Sequence, residues 1–140
     1  MLKLYRDMEE AEDGLPVIGH VSKHLGVRIQ GVSVGEDDAF DIETDCNGDT
    51  HPNTGGVSVN PPCINKNIRP ISLQRLMRKK TVLWELDEGE LVQFGLKYRE
   101  DPDDESHGFI EPANRMAAQD LVSRVQKTRD SWRKSDDLQL

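Results

Sequence analysis

Apolar and polar side chains alternate in several short runs along this chain and switch to a helical spacing only towards its end. In Leu2-Lys3-Leu4-Tyr5-Arg6 the leucines fall on one side, Lys3 and Tyr5 on the other, and Arg6 stands at the exit, which predicts a strand. Residues 27–34 alternate in the same way and predict a second strand. Val57-Ser58-Val59 reads as a short strand whose serine faces away from both valines, ended by Pro61-Pro62, which remove two backbone donors. Residues 81–86 predict a strand with Val82, Trp84 and Leu86 on one face. Residues 87–90 then predict a turn, and residues 92–98 a returning strand with a bulge at Gly95. Residues 107–111 form a last short strand, capped by Pro112.

Helical periodicity is confined to the remainder. Residues 71–80 predict a short helix with Leu73, Leu76 and Met77 on one side. Residues 117–134 predict a longer amphipathic helix, because Leu121, Val122, Val125 and Trp132 fall at helical spacing while Arg124, Lys127 and Arg133 lie outside the stripe. Its start at Ala117 has no Ser, Thr or Asp to cap it, although Asp120 suits the positive end of the helix dipole. Residues 13–19 predict a turn, residues 20–25 a single helical turn stopped by Gly26, and residues 135–140 a frayed tail. Between residues 35 and 55 the composition shifts to Asp, Glu, Asn, Thr and Gly, a loop much longer than the usual four to six residues. Asn47-Gly48 within it suits a type I′ turn at the tip of a small hairpin.

These elements give an α+β class: small antiparallel sheets, a C-terminal amphipathic helix and one domain over residues 1–134, with a modest core for 140 residues. Charge refines the picture. Residues 1–55 carry four Lys/Arg against twelve Asp/Glu, whereas residues 56–140 carry fourteen of each, so the net charge of −8 sits wholly in the first part. Phosphate repels such a surface, which argues against nucleic acid as its partner and leaves a basic protein or plain solvent. No apolar run reaches the roughly 20 residues needed to span a bilayer, and residues 1–10 are acidic where a signal peptide would be basic and then apolar. A cytoplasmic protein is expected, with no membrane contact.

Several clusters invite chemistry and have a plainer reading. Cys46 and Cys63, with sixteen residues between them, read as two free thiols, with a disulfide as the other reading. Glu43, Asp45, Asn47, Gly48 and Asp49 are spaced like part of a calcium loop, but the twelfth position is Thr54, which cannot supply a bidentate carboxylate. His20 and His24 lie one helical turn apart without the glutamate of an H-E-x-x-H site, and His51 has no evident partner. Arg75, Arg78, Lys79 and Lys80 could contact phosphate. With only seven aromatic residues in the chain to stack bases, a solvated helix face is the simpler reading.

Arg6, Ser58, His107 and Glu111 differ in kind, because each is a polar group within or at the end of a predicted short strand. If the strands form one curved sheet, these side chains can converge on a cleft. Arg6 would hold a diphosphate, Ser58 would hydrogen-bond a sugar, and Glu111 would stabilise a cationic sugar centre.

Leu4-Tyr5-Arg6, then Gly55-Gly56-Val57-Ser58-Val59 after a polar loop, and finally His107-Gly108-Phe109-Ile110-Glu111-Pro112-Ala113-Asn114-Arg115-Met116 before a terminal helix resemble small bacterial proteins grouped with type VI secretion effector toxins of ADP-ribosyltransferase-like fold. The similarity spans most of the chain in order and spacing. It implies two small antiparallel sheets around a cleft of NAD size and a toxic activity on NAD, either ADP-ribosyl transfer or NAD cleavage. It also implies delivery as a secreted effector without a cleavable signal peptide and a partner immunity protein. By position, Arg6 resembles the first-strand arginine that contacts the nucleotide, Ser58 the serine of the second motif strand, and His107 the histidine that opens the last strand, with Glu111 following it. Glu111 lies outside an E-x-E or Q-x-E pattern, and a single serine stands where an S-T-S motif would have two. A non-catalytic acidic interaction protein with a degenerate transferase fold is therefore the alternative.

Overall fold

The computed structural model describes residues 2–62 and 71–135. Its strands are β1 (Lys3–Met8), β2 (Asp49–Thr50), β3 (Val57–Val59), β4 (Val82–Asp87), β5 (Leu96–Asp101), β6 (Asp104–Pro112), β7 (Met116–Ala117) and β8 (Arg133–Lys134); α1 is Leu73–Lys79 and α2 is Ala118–Lys127. The architecture is α+β, with a three-stranded sheet in the order β1-β4-β8, a second in the order β3-β6-β5 and a two-stranded pair β2-β7. Every pairing among these strands is antiparallel.

Strand β1 obeys the two-residue side-chain period. Leu4 and Met8 are fully buried on one face, with Leu86 and Trp84 beside them on β4, and Trp84 Nε1 donates to the Met8 carbonyl at 3.1 Å. Arg6 lies on this same inward face, in the middle of the strand rather than at its exit. The opposite face carries Tyr5 and, on β4, Leu83; Ile71 and Leu76 of the α1 region cover them. Of the three apolar residues expected on one side of α1, only Leu76 is buried, while Leu73 and Met77 are exposed. The Ser72 hydroxyl caps this helix by accepting the Arg75 N–H at 3.1 Å.

The two larger sheets meet where β1 runs past the end of β3. The Tyr5 N–H donates to the Asn60 carbonyl at 2.8 Å and the Asn60 N–H returns a bond to Tyr5 at 2.7 Å. Gly55 and Gly56 permit the close approach just before β3. Gly55 has φ +139°, and a Cβ there would lie 2.3 Å from the Asp41 carbonyl oxygen; the Gly56 N–H donates to that same oxygen at 3.0 Å.

Several further expectations are corrected. Residues 27–34 bury Val27 and Ile29 but form no strand, because residues 31–33 turn and only an isolated bridge joins Gln30 to Val34. Residues 20–25 form no helix; the loop is held by contacts such as His24 N–H to the Val21 carbonyl at 3.0 Å. The returning strand at 92–98 is instead a 3-10 helix, Glu88–Phe94, ended by Gly95 in the left-handed region at φ +70°, and β5 that follows pairs with β6 rather than with β4. Finally, α2 stops at Lys127 and a 3-10 turn, Thr128–Ser131, redirects the chain. The Thr128 hydroxyl donates to the Val125 carbonyl at 2.6 Å and accepts the Trp132 indole N–H at 3.1 Å, so Trp132 is buried from outside the helix. The uncapped start of α2 is met by the Gly48 carbonyl, which accepts the Ala118 N–H at 3.1 Å. Ser135, expected in the tail, is buried and donates its N–H to Leu83 at 2.9 Å; residues 136–140 and Cys63, with its disulfide reading, lie outside the described residues. Cys46 is exposed.

The acidic loop is built by its own side chains. Asp45 Oδ1 accepts the N–H groups of Asn47 (2.8 Å) and Asp49 (3.0 Å), and Oδ2 faces His51 Nε2 at 2.7 Å, so His51 does have a partner. Only Gly48 of the Asn47-Gly48 pair has positive φ, so the turn is not type I′, and β2 pairs with the distant β7 in place of a local hairpin. Asp49 pairs with Arg115 at 2.7 Å.

Replacing Gly55 by Ala forces a methyl group against the Asp41 carbonyl at a strained φ, and we expect a loss of about 2–3 kcal/mol in urea unfolding. The His51 ring, followed by the backbone N–H of Asp49, holds the Asp45 carboxyl down from 3.8 to about 2. Its stabilising contribution is thus complete above pH 3.8 and is lost as pH falls through about 2. Asp45→Asn is expected to lower the unfolding midpoint at pH 5–7 and to converge with the parent protein near pH 2, which an acid titration followed by circular dichroism checks.

Candidate functional site

A cleft of about 230 Å³ opens where β1, β3, β6 and α1 come together, lined by Arg6, Asp7, Ser22, Arg28, Asp41, Ser58, Asn60, Arg75, Lys79 and His107. Three of the four sequence-selected side chains, Arg6, Ser58 and His107, therefore share one hollow although 101 residues separate the first from the last. Glu111 does not reach it.

Each position follows from strand geometry. Ser58 is opposite Phe109 in the β3-β6 register, so its side chain shares a face with Phe109, and with His107 two residues earlier. That face is the outer one of the sheet; Val57, Val59 and Ile110 point the other way into the core. The His107 ring meets Phe109 edge-on, with centroids 4.8 Å apart. Its Nδ1 lies 2.8 Å from Asp101 Oδ2 across the β5-β6 hairpin. The Asp103 N–H, then His107, hold the Asp101 carboxyl below its usual pKa. With Nδ1 tied to Asp101, Nε2 is the ring nitrogen left to face a ligand or exchange a proton.

Arg6 is 8% exposed and is not free to wrap a diphosphate. Its Nη1 donates to the Ser58 carbonyl at 2.7 Å, and Nη2 donates to the carbonyls of Ser22 (3.1 Å) and His24 (3.0 Å), while Nε is buried without a partner. Burial lowers the guanidinium pKa, and the nearby Asp41 and Asp7 carboxylates oppose that shift. The arginine is a strap between β1, β3 and the 20–25 loop, and it forms the floor of the cleft.

Glu111 shares the outer face of β6 with His107 but lies four residues further along, beyond the end of the cleft. It is fully buried, 2.7 Å from Arg99 Nε and 3.6 Å from Lys97 Nζ, and it accepts the Asn53 N–H at 3.0 Å. Two cations and a backbone donor neutralise this carboxylate. It is not positioned to stabilise a sugar cation in the cleft, and that expected role is corrected to a structural one.

The remaining lining residues were not selected as a site from sequence. Arg75 Nη2 is 3.2 Å from Asp7 Oδ1. Lys79 Nζ is 3.1 Å from Asp7 Oδ2 as an ion pair, off the line of a hydrogen bond. Arg28 clasps Asp41 through Nη2 (3.0 Å) and Nε (3.3 Å), which raises the Arg28 pKa. Arg75 and Lys79 belong to the basic run noted in the sequence, and one turn of helix brings them to the same side. Arg28 had no such signal. Among the described residues, no group of three or more His, Cys, Asp or Glu is arranged to hold a metal ion, and no helix is long and apolar enough to cross a membrane.

No protein-family model matches the chain, and no curated protein matches it.

Glu111→Gln leaves Arg99 and Lys97 facing an uncharged amide in a buried site. We expect a loss of about 2–3 kcal/mol in stability, read from denaturant unfolding.

Proposed function

We propose that this protein is a bacterial toxin of ADP-ribosyltransferase-like fold whose cleft engages NAD and breaks the nicotinamide glycosidic bond, passing ADP-ribose to water or to a target. The observation that supports this reading is the meeting of Arg6, Ser58 and His107, three of the four positions to which the family resemblance assigns a role, in one polar hollow between two small antiparallel sheets.

The chemistry asks for few groups. Cleavage passes through an oxocarbenium-like state, which is helped by fixing the ribose and by withdrawing water from the reacting carbon. In this reading the exposed Ser58 hydroxyl bonds the ribose, His107 Nε2 faces the sugar or the incoming nucleophile, and Asp101 keeps the imidazole in one orientation. Arg6 acts by fixing the three backbone carbonyls that shape the floor. A toxin of this kind would be neutralised by a cognate immunity protein, and its delivery as a secreted effector is part of the same proposal.

The competing reading is a non-catalytic acidic interaction protein with a degenerate transferase fold. It is favoured by the position of Glu111 and by the absence, among the described cleft residues, of any carboxylate other than the ion-paired Asp7 and Asp41. Incubation of the purified chain with NAD, with nicotinamide release followed by chromatography, separates the two. The transferase reading expects release that falls by about 10²-fold in His107→Ala and in Ser58→Ala at unchanged melting temperature. If micromolar protein releases no nicotinamide and NAD leaves the melting temperature where it was, the interaction protein is the better account.

A further inference from the structure

The cleft carries more positive charge than the molecule around it leads one to expect. A chain with a net charge of −8 places Arg6, Arg28, Arg75 and Lys79 in one hollow against only Asp7 and Asp41. Focused cationic potential in a small concave site attracts anions, and the form of the cations decides which anion fits.

We propose that Arg28, Arg75 and Lys79 form a clamp for a diphosphate group, and that Arg6, although the nucleotide-contacting arginine by resemblance, does not supply it. Donor availability carries the argument. A guanidinium offers five N–H donors. Arg6 has three bonds committed to main-chain carbonyls and a buried Nε, so little remains to give. Arg28 uses two side-chain donors on Asp41, and Arg75 uses one on Asp7. Lys79 touches Asp7 as an ion pair at 3.1 Å, outside hydrogen-bond geometry. These three side chains are 24–43% exposed at the cleft, where Arg6 is nearly enclosed.

Asp7 and Asp41 then hold the cations in place while the cleft is empty. Arg28 can keep its clasp on Asp41 and donate outward from its other N–H groups. Arg75 and Lys79 approach from α1 and would share their charge between Asp7 and the ligand. The volume, about 230 Å³, is below the roughly 300 Å³ at which small-molecule sites begin, so the cleft takes a diphosphate and an adjoining sugar and leaves the rest of a dinucleotide outside. The identity of the ligand as a dinucleotide rests on the transferase reading; the diphosphate preference rests on the cations alone.

Titration calorimetry with the full chain tests the clamp, using inorganic pyrophosphate, ADP-ribose and the phosphate-free nicotinamide riboside. Pyrophosphate and ADP-ribose should bind and the riboside should not. The Arg75→Ala/Lys79→Ala double variant should bind pyrophosphate at least about tenfold more weakly, and Arg28→Ala should weaken it by a similar factor. Arg78→Ala, on the same helix but outside the cleft, should stay within about twofold. Lys79→Gln, which keeps the stem of the side chain, guards against loss by misfolding: its melting temperature should hold while its affinity falls. No pyrophosphate binding by the folded parent chain, or equal losses from Arg78→Ala and Arg75→Ala, would overturn the clamp. Pyrophosphate binding without NAD turnover would uphold the clamp and sink the transferase reading. NAD turnover with KM unchanged in the double variant would do the reverse.

Discussion

A charged guanidinium lodged on the core-facing side of β1, between Leu4 and Met8, sets the terms for everything around it. Removing such a group from water is costly unless its donors find acceptors, and of the carbonyls of β1 that of Tyr5 is taken by the Asn60 N–H and that of Met8 by the Trp84 indole. Ser58, Ser22 and His24 provide the acceptors from two segments far away in the chain. Each of these bonds ties a main-chain carbonyl of a distant segment to the same guanidinium, so the arginine and the three oxygens position one another. Together with the Tyr5 and Asn60 backbone exchange, this fixes where β1 passes β3. The cleft is the space left beside that crossing.

Two kinds of cation result, distinguished by what surrounds them. Arg6 is enclosed and fully oriented, which makes it a rigid floor. Arg28, Arg75 and Lys79 stay partly solvated and lean on carboxylates that are themselves nearly buried, with Asp7 at 5% side-chain exposure and Asp41 at 11%. A buried carboxylate with a solvated cation is an asymmetric pair: the acid is held by the fold, and the base retains donors and some freedom. Under the proposed clamp that arrangement would limit the ordering cost of binding, since the cations are already gathered before an anion arrives. It also explains how an acidic protein can present a basic hollow, because the excess negative charge lies outside the cleft.

Alternation read from the sequence reported burial faithfully and pairing less well. Strands β1, β3, β4 and β6 were legible because each has a partner able to accept its pattern. Residues 27–34 show the same alternation and bury Val27 and Ile29, yet the backbone turns at residues 31–33 and Arg28 bonds to Asp41 rather than to a ladder partner. Trp132 falls at helical spacing from Val125 but is buried because the helix has ended; the hydroxyl of Thr128, whose bond to Val125 tightens the last turn, carries no periodic signal. The β5-β6 hairpin has good turn chemistry in Asp101-Pro102-Asp103-Asp104, but the first half of β6 is polar and exposed and carries no alternation to announce a strand. At the site, Arg6, Ser58 and His107 could be selected as polar groups on short strands. Arg28 and Asp41 could not, because loop residues gain their meaning only from the contacts that position them.

Glu111 illustrates how a same-face argument succeeds in direction and fails in reach. Its carboxylate does point the way His107 points, but four residues of strand carry it about 13 Å along the sheet, past the end of a hollow that small. What links the two is a row of side chains. Glu111 fixes the Arg99 guanidinium, Arg99 lies 4.6 Å from the Phe109 ring centroid, and Phe109 meets the His107 ring edge-on. Asp101 holds the other side of that imidazole. The ring is thus set by two contacts, a T-shaped one with Phe109 and the Asp101 carboxylate across the hairpin. A strand that carries histidine and glutamate on one face accordingly need not hold two catalytic groups: here the glutamate anchors the row of side chains that leads to the histidine, and only the histidine meets the cleft.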